Sequence, residues 1–102
     1  MIEKNTPLQA IRVDAPIDGR IMFSDPRIQS ILLTLGPGET IPAHTNPFDV
    51  LFIGMSGVLT LSDQESEVGL SALDTAFVAA GTQRQLHNPG SQKARVMVIK
   101  IL

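Results

Sequence analysis

The sequence of 102 residues contains no cysteine, which excludes disulfide bonds, thiolate catalysis and cysteine-based zinc sites. It also lacks an apolar run that approaches the roughly 20 residues of a membrane-spanning helix. Its first residues do not show the basic-then-apolar order of a signal peptide. Ten acidic and eight basic side chains are mixed along the chain, which argues against nucleic acid and membranes as partners. We therefore expect a cytoplasmic protein in which residues 1–102 form one domain.

Regular interruption by proline and glycine is the main feature of the first third of the chain. Pro7, Pro16, Gly19 and Pro26 separate short β-branched runs, and residues 28–35 alternate with a period of two. Such interruptions leave little room for long helices. Several short strands at this spacing are typical of a β-sandwich or β-barrel.

The segment after residue 69 fits two structures. Leu70, Leu73 and Phe77 recur at helical spacing, and residues 71–74 have the pattern of a helix capping box. Periodicity alone therefore leaves a helix over residues 71–80 as open as a strand.

Residues 36–57 organise the chain. They open with a Gly-Pro-Gly turn, carry a histidine between two prolines and continue into an apolar strand that ends at glycine. This layout resembles the first motif of the cupin superfamily, Gly-x5-His-x-His-x3,4-Glu-x6-Gly. Three residues match the motif, namely Gly38, His44 and Gly57. Asn46 stands at the second histidine position and Val50 at the glutamate position.

The second cupin motif, Gly-x5-Pro-x-Gly-x2-His-x3-Asn, commonly begins with Gly-Asp. It resembles residues 73–88, where Asp74, Gly81 and Asn88 match it. Leu73 replaces its first glycine and Ala79 its proline. Arg84 stands where the superfamily has a metal-binding histidine.

Together the two motifs cover roughly residues 28–102, so that residues 1–27 form strands and turns outside them. The resemblance favours a strand over a helix for residues 71–80. It implies an all-β fold, a cupin-type antiparallel β-barrel or jelly-roll sandwich of about ten strands, with a pocket at one end.

The resemblance also implies four metal-ligand positions, which are held here by His44, Asn46, Val50 and Arg84. Valine cannot coordinate a metal, and a guanidinium stays protonated and repels cations. One imidazole and one amide oxygen are too few ligands for a tight site. We therefore expect no metal or other cofactor, with at most weak or partial binding of a divalent metal at His44.

His87 follows Arg84 by three residues, an odd offset that turns its side chain to the opposite face of a regular strand. Only a β-bulge would bring it into the pocket. We expect a solvent-exposed or interface histidine, with the bulge as the alternative.

Six residues are expected to form the ligand-binding site, namely His44, Asn46, Val50, Phe52, Arg84 and Leu86. An inward guanidinium above an apolar floor suits a small acidic molecule, to which Asn46 would add a neutral donor. Alternatively, the Arg84 stem lies along the pocket mouth and leaves the head in water.

The expected function is therefore metal-free binding of a small molecule. The alternative is an enzyme, either an isomerase-like cupin without metal or a metal-dependent oxygenase with an altered ligand set. No residue is singled out as catalytic.

Apolar residues are also expected on the outer surface. If Val50 and Phe52 face the pocket, their neighbours on the same strand face outward. The apolar residues expected on the surface are Leu51, Ile53, Val96, Val98 and Ile101. Monomers seldom expose such patches, so we expect a homodimer.

Overall fold

The computed structural model describes all 102 residues and contains ten β-strands and no helix. The strands are β1 (Ile11–Arg12), β2 (Asp18–Ser24), β3 (Ile28–Leu35), β4 (Thr40–His44), β5 (Asp49–Ser56), β6 (Leu59–Ser62), β7 (Glu67–Leu70), β8 (Thr75–Val78), β9 (Arg84–His87) and β10 (Ala94–Ile101). The prediction of an all-β fold is confirmed. Residues 71–80 form a turn followed by β8, so the helical alternative is wrong. No helix is present that has the length and hydropathy needed to cross a bilayer.

Every neighbouring pair of strands is antiparallel, and the strands form two sheets. One sheet has six strands in the order β1-β2-β3-β10-β5-β8, and the other has four in the order β4-β9-β6-β7. Strands that are distant in sequence are neighbours in both sheets, as in a jelly-roll sandwich.

The core lies between the inner faces of the two sheets. Its main cluster is formed by eleven buried apolar residues: Leu35, Val50, Phe52, Leu59, Leu61, Leu70, Val78, Leu86, Ala94, Val96 and Val98. Successive side chains of a strand point to opposite faces, so each strand contributes alternate residues to this cluster. Burial of these side chains is the main stabilising contribution, at about 1.5–3 kcal/mol for each fully buried large apolar side chain.

The register of β10 determines which of its side chains point inward. Val98 lies opposite Ile31 of β3 and Phe52 of β5, and both of these neighbours are buried. Val96 and Val98 are 0% and 5% exposed, so the expectation that they form outer surface is wrong. Three of the four outward positions on this strand, Met97, Ile99 and Ile101, are apolar as well, which hid the parity from the sequence.

The other outer-surface expectations are confirmed. Leu51 and Ile53 alternate with the buried Val50 and Phe52 and lie half-buried on the outer face of the six-stranded sheet. Ile101 is 47% exposed.

One end of the sandwich is closed by Asn88, which is 1% exposed. Its side-chain nitrogen donates hydrogen bonds to the carbonyl oxygens of Leu35 and Gln92, at 2.9 and 2.8 Å. Its side-chain oxygen accepts one from the backbone N–H of Gly90 at 2.9 Å. The amide thus joins the end of β3 to the loop between β9 and β10.

Leu73 is the only residue other than glycine with a positive φ, at 73°. It lies in the turn before β8, where its N–H donates to the carbonyl oxygen of Gly54 at 2.9 Å. Its side chain is 89% exposed and therefore contributes little packing. A left-handed conformation costs a residue with a Cβ roughly 1–2 kcal/mol, which gives a physical reason for the glycine that the second motif has here.

We expect Leu73→Gly to stabilise the protein. Glycine relieves the backbone strain but also raises the conformational entropy of the unfolded chain, which favours unfolding. The first effect is the larger one, so we expect a gain of about 0.5–1 kcal/mol in the free energy of unfolding. Urea denaturation should measure it. The control Leu73→Ala keeps the Cβ and should match the wild type, whereas a destabilised glycine variant would contradict this account.

Candidate functional site

A cavity of about 190 Å³ lies between the two sheets, away from the end that Asn88 closes. Eight of its twelve lining residues are hydrophobic. The other four are His44, Asn46, Arg84 and Lys100. The lining therefore contains two cationic side chains and a histidine but no carboxylate.

Arg84 is the most deeply buried charged residue of the chain, at 5% exposed. It begins β9, and Leu86, two positions further along the same face, is buried in the core. Since burial disfavours the charged form, it lowers the pKa of the Arg84 guanidinium. The alternative in which the head of Arg84 extends into water is wrong.

The guanidinium is only partly satisfied by the protein. Its Nη2 donates a hydrogen bond of 2.6 Å to the side-chain oxygen of Asn46, once that amide is oriented by its hydrogen-bond network. Its Nε is buried and has no hydrogen-bond partner. The two ion pairs of the protein, Arg20–Asp18 and Arg27–Asp25, do not involve it.

Asn46 has a role in addition to the one expected. Its oxygen accepts from Arg84, and its nitrogen donates to the carbonyl oxygen of Thr45 at 3.2 Å. An amide nitrogen has two N–H groups, so one donor of Asn46 remains for a ligand. Asn46 thus orients the guanidinium and keeps a neutral donor.

Lys100 is the site residue that the sequence reasoning missed. Its Nζ lies 5.8 Å from the centroid of the Phe48 ring, within cation–π range, and it makes no ion pair. Burial and the nearby positive charge of Arg84 both lower the pKa of the Lys100 amine. Lys100 is an even number of residues from Val96 and Val98 and so shares their inward face. The sequence analysis placed these valines on the outer surface, so this spacing did not indicate an inward lysine.

His44 lies at the exposed rim of the cavity, at the end of β4. The register between β4 and β9 shifts after Ile41, so that the backbone of His44 lies opposite that of Arg84. The His44 Nδ1 lies 3.0 Å from the carbonyl oxygen of Pro42. Because a carbonyl only accepts, this nitrogen carries the proton, and Nε2 is left without a protein partner.

Three of the expected site residues are apolar, and the structure separates them. Phe52 and Leu86 line the cavity, as expected. Val50 is 0% exposed and belongs to the core cluster, but it does not line the cavity.

His87 stays outside the cavity. No bulge interrupts the pairing of β9 with β6, so its side chain points away from that of Arg84. It is half-buried rather than fully exposed, because its Nδ1 is hydrogen-bonded to the Thr40 hydroxyl at 2.6 Å.

The four implied metal-ligand positions do not fit a metal. Val50 is enclosed in the core, the Asn46 oxygen is directed to Arg84, and the guanidinium of Arg84 repels cations. Only His44 has a free donor atom. No group of three or more histidine, aspartate or glutamate side chains lies close enough together to share a metal ion.

One protein-family model matches most of the chain. The family model described as "Cupin domain" matches residues 31–100. The sequence matches no curated protein.

Solved structures resemble the chain along nearly its whole length. A protein from Thermus thermophilus has a TM-score of 0.83 at 22% identity, covering 99% of this chain and 97% of that one. A Cupin 2 conserved barrel domain protein from Salinispora arenicola has a TM-score of 0.82 at 16% identity, covering 100% and 89%. The polyketide cyclase RemF from Streptomyces resistomycificus has a TM-score of 0.85 at 14% identity, covering 99% and 80%. These likenesses show the fold alone.

We expect protein purified without a metal-affinity step to contain no stoichiometric iron, manganese, nickel or zinc. The reason is that a single free imidazole, beside two cations, is a weak ligand set. Elemental analysis of the purified protein measures this directly. Full occupancy by three or more protein ligands would contradict the expectation and would require β9 to rearrange so that His87 turns inward.

Proposed function

The chain belongs to the cupin family, and we propose that it is a metal-free member that binds a small organic acid through Arg84. In this proposal the carboxylate lies against the guanidinium, and the rest of the ligand occupies the apolar part of the cavity. Asn46 holds the guanidinium in place, and Lys100 adds a second positive charge.

The observation that carries the proposal is the unpartnered Nε of a guanidinium that is 5% exposed. Burial of an ion costs several kcal/mol unless a charge or hydrogen bonds compensate. The neutral Asn46 oxygen compensates only in part. A carboxylate supplies both the opposite charge and acceptors for the remaining N–H groups, and arginine matches its planar geometry.

Lys100 strengthens this argument through its effect on charge. Burial lowers the pKa of the Lys100 amine, and repulsion by the positive charge of Arg84 lowers it further, with no acidic residue in the lining to offset it. An anion between them would relieve this repulsion. A cationic ligand would increase it, so bases are disfavoured.

The cavity also limits the size of the ligand. At about 30 Å³ for each water, its volume of about 190 Å³ corresponds to roughly six waters. A ligand of roughly six to ten non-hydrogen atoms suits this space. Phe52 and Leu86 provide apolar contacts for a short hydrocarbon part.

Small carboxylates are expected to raise the melting temperature of the wild type. Propionate at ten times its dissociation constant contributes about 1.4 kcal/mol of stability, which is several degrees for a domain of this size. Propionamide and propylamine, which have similar shapes without the negative charge, are expected to have no effect. Differential scanning fluorimetry measures the shift.

The matched variants are Arg84→Met and Arg95→Met. Arg84→Met removes the carboxylate-binding group, so it should lose the shift while its own melting temperature stays near or above that of the wild type. Arg95 is exposed on the outer face of β10, opposite the face that carries Lys100, and the Arg95→Met variant should keep the thermal shift. Equal stabilisation by propionamide, or a full shift in Arg84→Met, would disprove the proposed site.

We also propose that the chain forms a homodimer through the outer face of the six-stranded sheet. Cross-strand neighbours on this face form two apolar rows, one of Phe77, Leu51 and Ile99 and one of Ile53, Met97 and Leu32. Phe77 is 61% exposed. A second copy would cover this face, and twofold symmetry is the commonest arrangement.

Sedimentation equilibrium at micromolar concentration is expected to give the mass of a dimer. Ile99→Lys puts a charge at the centre of the apolar face and should give a monomer. The control Val68→Lys alters an exposed valine of the other sheet and should leave the dimer intact. A monomeric wild type would refute this assembly.

A further inference from the structure

Lys100 has an unusual environment for a lysine. Its half-buried side chain lines an apolar cavity, has no acidic partner and shares the lining with the buried Arg84. The other two lysines of the chain, Lys4 and Lys93, are exposed. Lys100 is thus the one lysine that the fold partly buries beside a second cation.

A lysine that is partly desolvated by apolar walls beside a second cation has the environment of a nucleophilic lysine. The apolar walls and the positive charge of Arg84 both favour the neutral amine, which has a free electron pair. The titratable neighbours in the cavity are Arg84 and His44. Asp49, at the start of the adjacent β5, accepts from the backbone N–H of Ala80 at 2.9 Å and lies outside the lining.

We propose that Lys100 forms an imine with the carbonyl group of a small oxo acid whose carboxylate is bound by Arg84. This deepens the proposed function and rests on it, because the carboxylate site is the same. The two cavity cations have different roles toward a ligand that carries both a carboxylate and a carbonyl group. Arg84, which stays protonated, binds the carboxylate, while Lys100 reacts.

The covalent step balances without a redox partner. The amine electron pair of Lys100 attacks the carbonyl carbon, the C=O π pair moves to oxygen, and a proton passes from nitrogen to that oxygen to give a carbinolamine. Loss of water then gives the imine. Because the reverse reaction regenerates amine and oxo acid, the adduct is reversible until a hydride donor reduces it to a secondary amine.

The size of the cavity agrees with this ligand class. The smallest oxo acids have about as many non-hydrogen atoms as the cavity has water volumes, roughly six. The positions of Arg84 and Lys100 determine how far apart the carboxylate and the carbonyl group of the ligand must be. Pyruvate, acetoacetate and levulinate place these groups at increasing separations and form a suitable series of probes.

The test is borohydride trapping on the full chain. The protein is incubated with each oxo acid, reduced with sodium borohydride and analysed by intact mass and peptide mapping. We expect one reduced adduct per chain, located on Lys100, for at least one probe. Lactate, which has a hydroxyl group in place of the keto group of pyruvate, should give no adduct.

Variants separate the roles of the two cations. Lys100→Met and Lys100→Arg should both lose the adduct, whereas Lys93→Met, at an exposed lysine, should keep it. Arg84→Met should reduce trapping by about tenfold or more, the value of a charge-assisted hydrogen bond in binding. Peptide mapping of the wild type does not depend on the folding of any variant.

The outcomes are distinguishable. A thermal shift with propionate but no adduct with any oxo acid would overturn the imine and leave the proposed carboxylate site standing. Absence of both would overturn both. Equal labelling of Lys4, Lys93 and Lys100 would show ordinary surface reactivity and would also overturn the imine. An adduct confined to Lys100 that is weakened in Arg84→Met supports the whole proposal.

Discussion

Strand parity determines both the core and the charged cavity of this protein. In β10 the side chains of Val96 and Val98 are buried between the sheets, and the next inward position is Lys100. In β9 the buried Leu86 shares its face with Arg84. A slip of one residue in either strand would move the charge outward only by moving the apolar residues outward as well. Packing of the core therefore holds two cations in an apolar cavity, although each would be better solvated in water.

Much of the fold can be read from the sequence because its signals are local or depend on spacing. Prolines and glycines mark the turns, and the two motifs locate β4, β5 and β9 in order. The inward direction of Arg84 follows from its place in the second motif. Leu73 shows that a motif position can keep its backbone conformation when its residue type changes. The motif has glycine here, and Leu73 still adopts the left-handed conformation.

The missed features depend on contacts between distant parts of the chain. Both faces of β10 are largely apolar, so its parity follows only from its pairing with β3 and β5. Lys100 was overlooked for this reason. The role of Asn46 depends on the orientation of a single amide against Arg84, 38 positions later in the sequence, and its type gives no hint of that partner.

The substitution of arginine for the family's histidine changes the charge that the cavity favours. An imidazole has a lone pair with which to bind a metal cation, whereas a guanidinium has only donors and a permanent positive charge. Together with Lys100, it is the basis of the proposal that the cavity binds an anion. Under this proposal, the residue at one position of the cupin motif decides whether the cavity binds a cation or an anion.

The side chain of Asn88 has a consequence for the motions of the native state. Any opening of the closed end must break the hydrogen bonds that Asn88 donates to the carbonyl groups of Leu35 and Gln92, each worth about 0.5–1.5 kcal/mol. At the opposite end, the rim of the cavity is formed by the edge strand β4, whose last residues are exposed. Native-state hydrogen exchange should therefore be graded along the sandwich, with local opening confined to the rim. In the proposed function, the ligand enters by fluctuations of β4 while the opposite end stays closed.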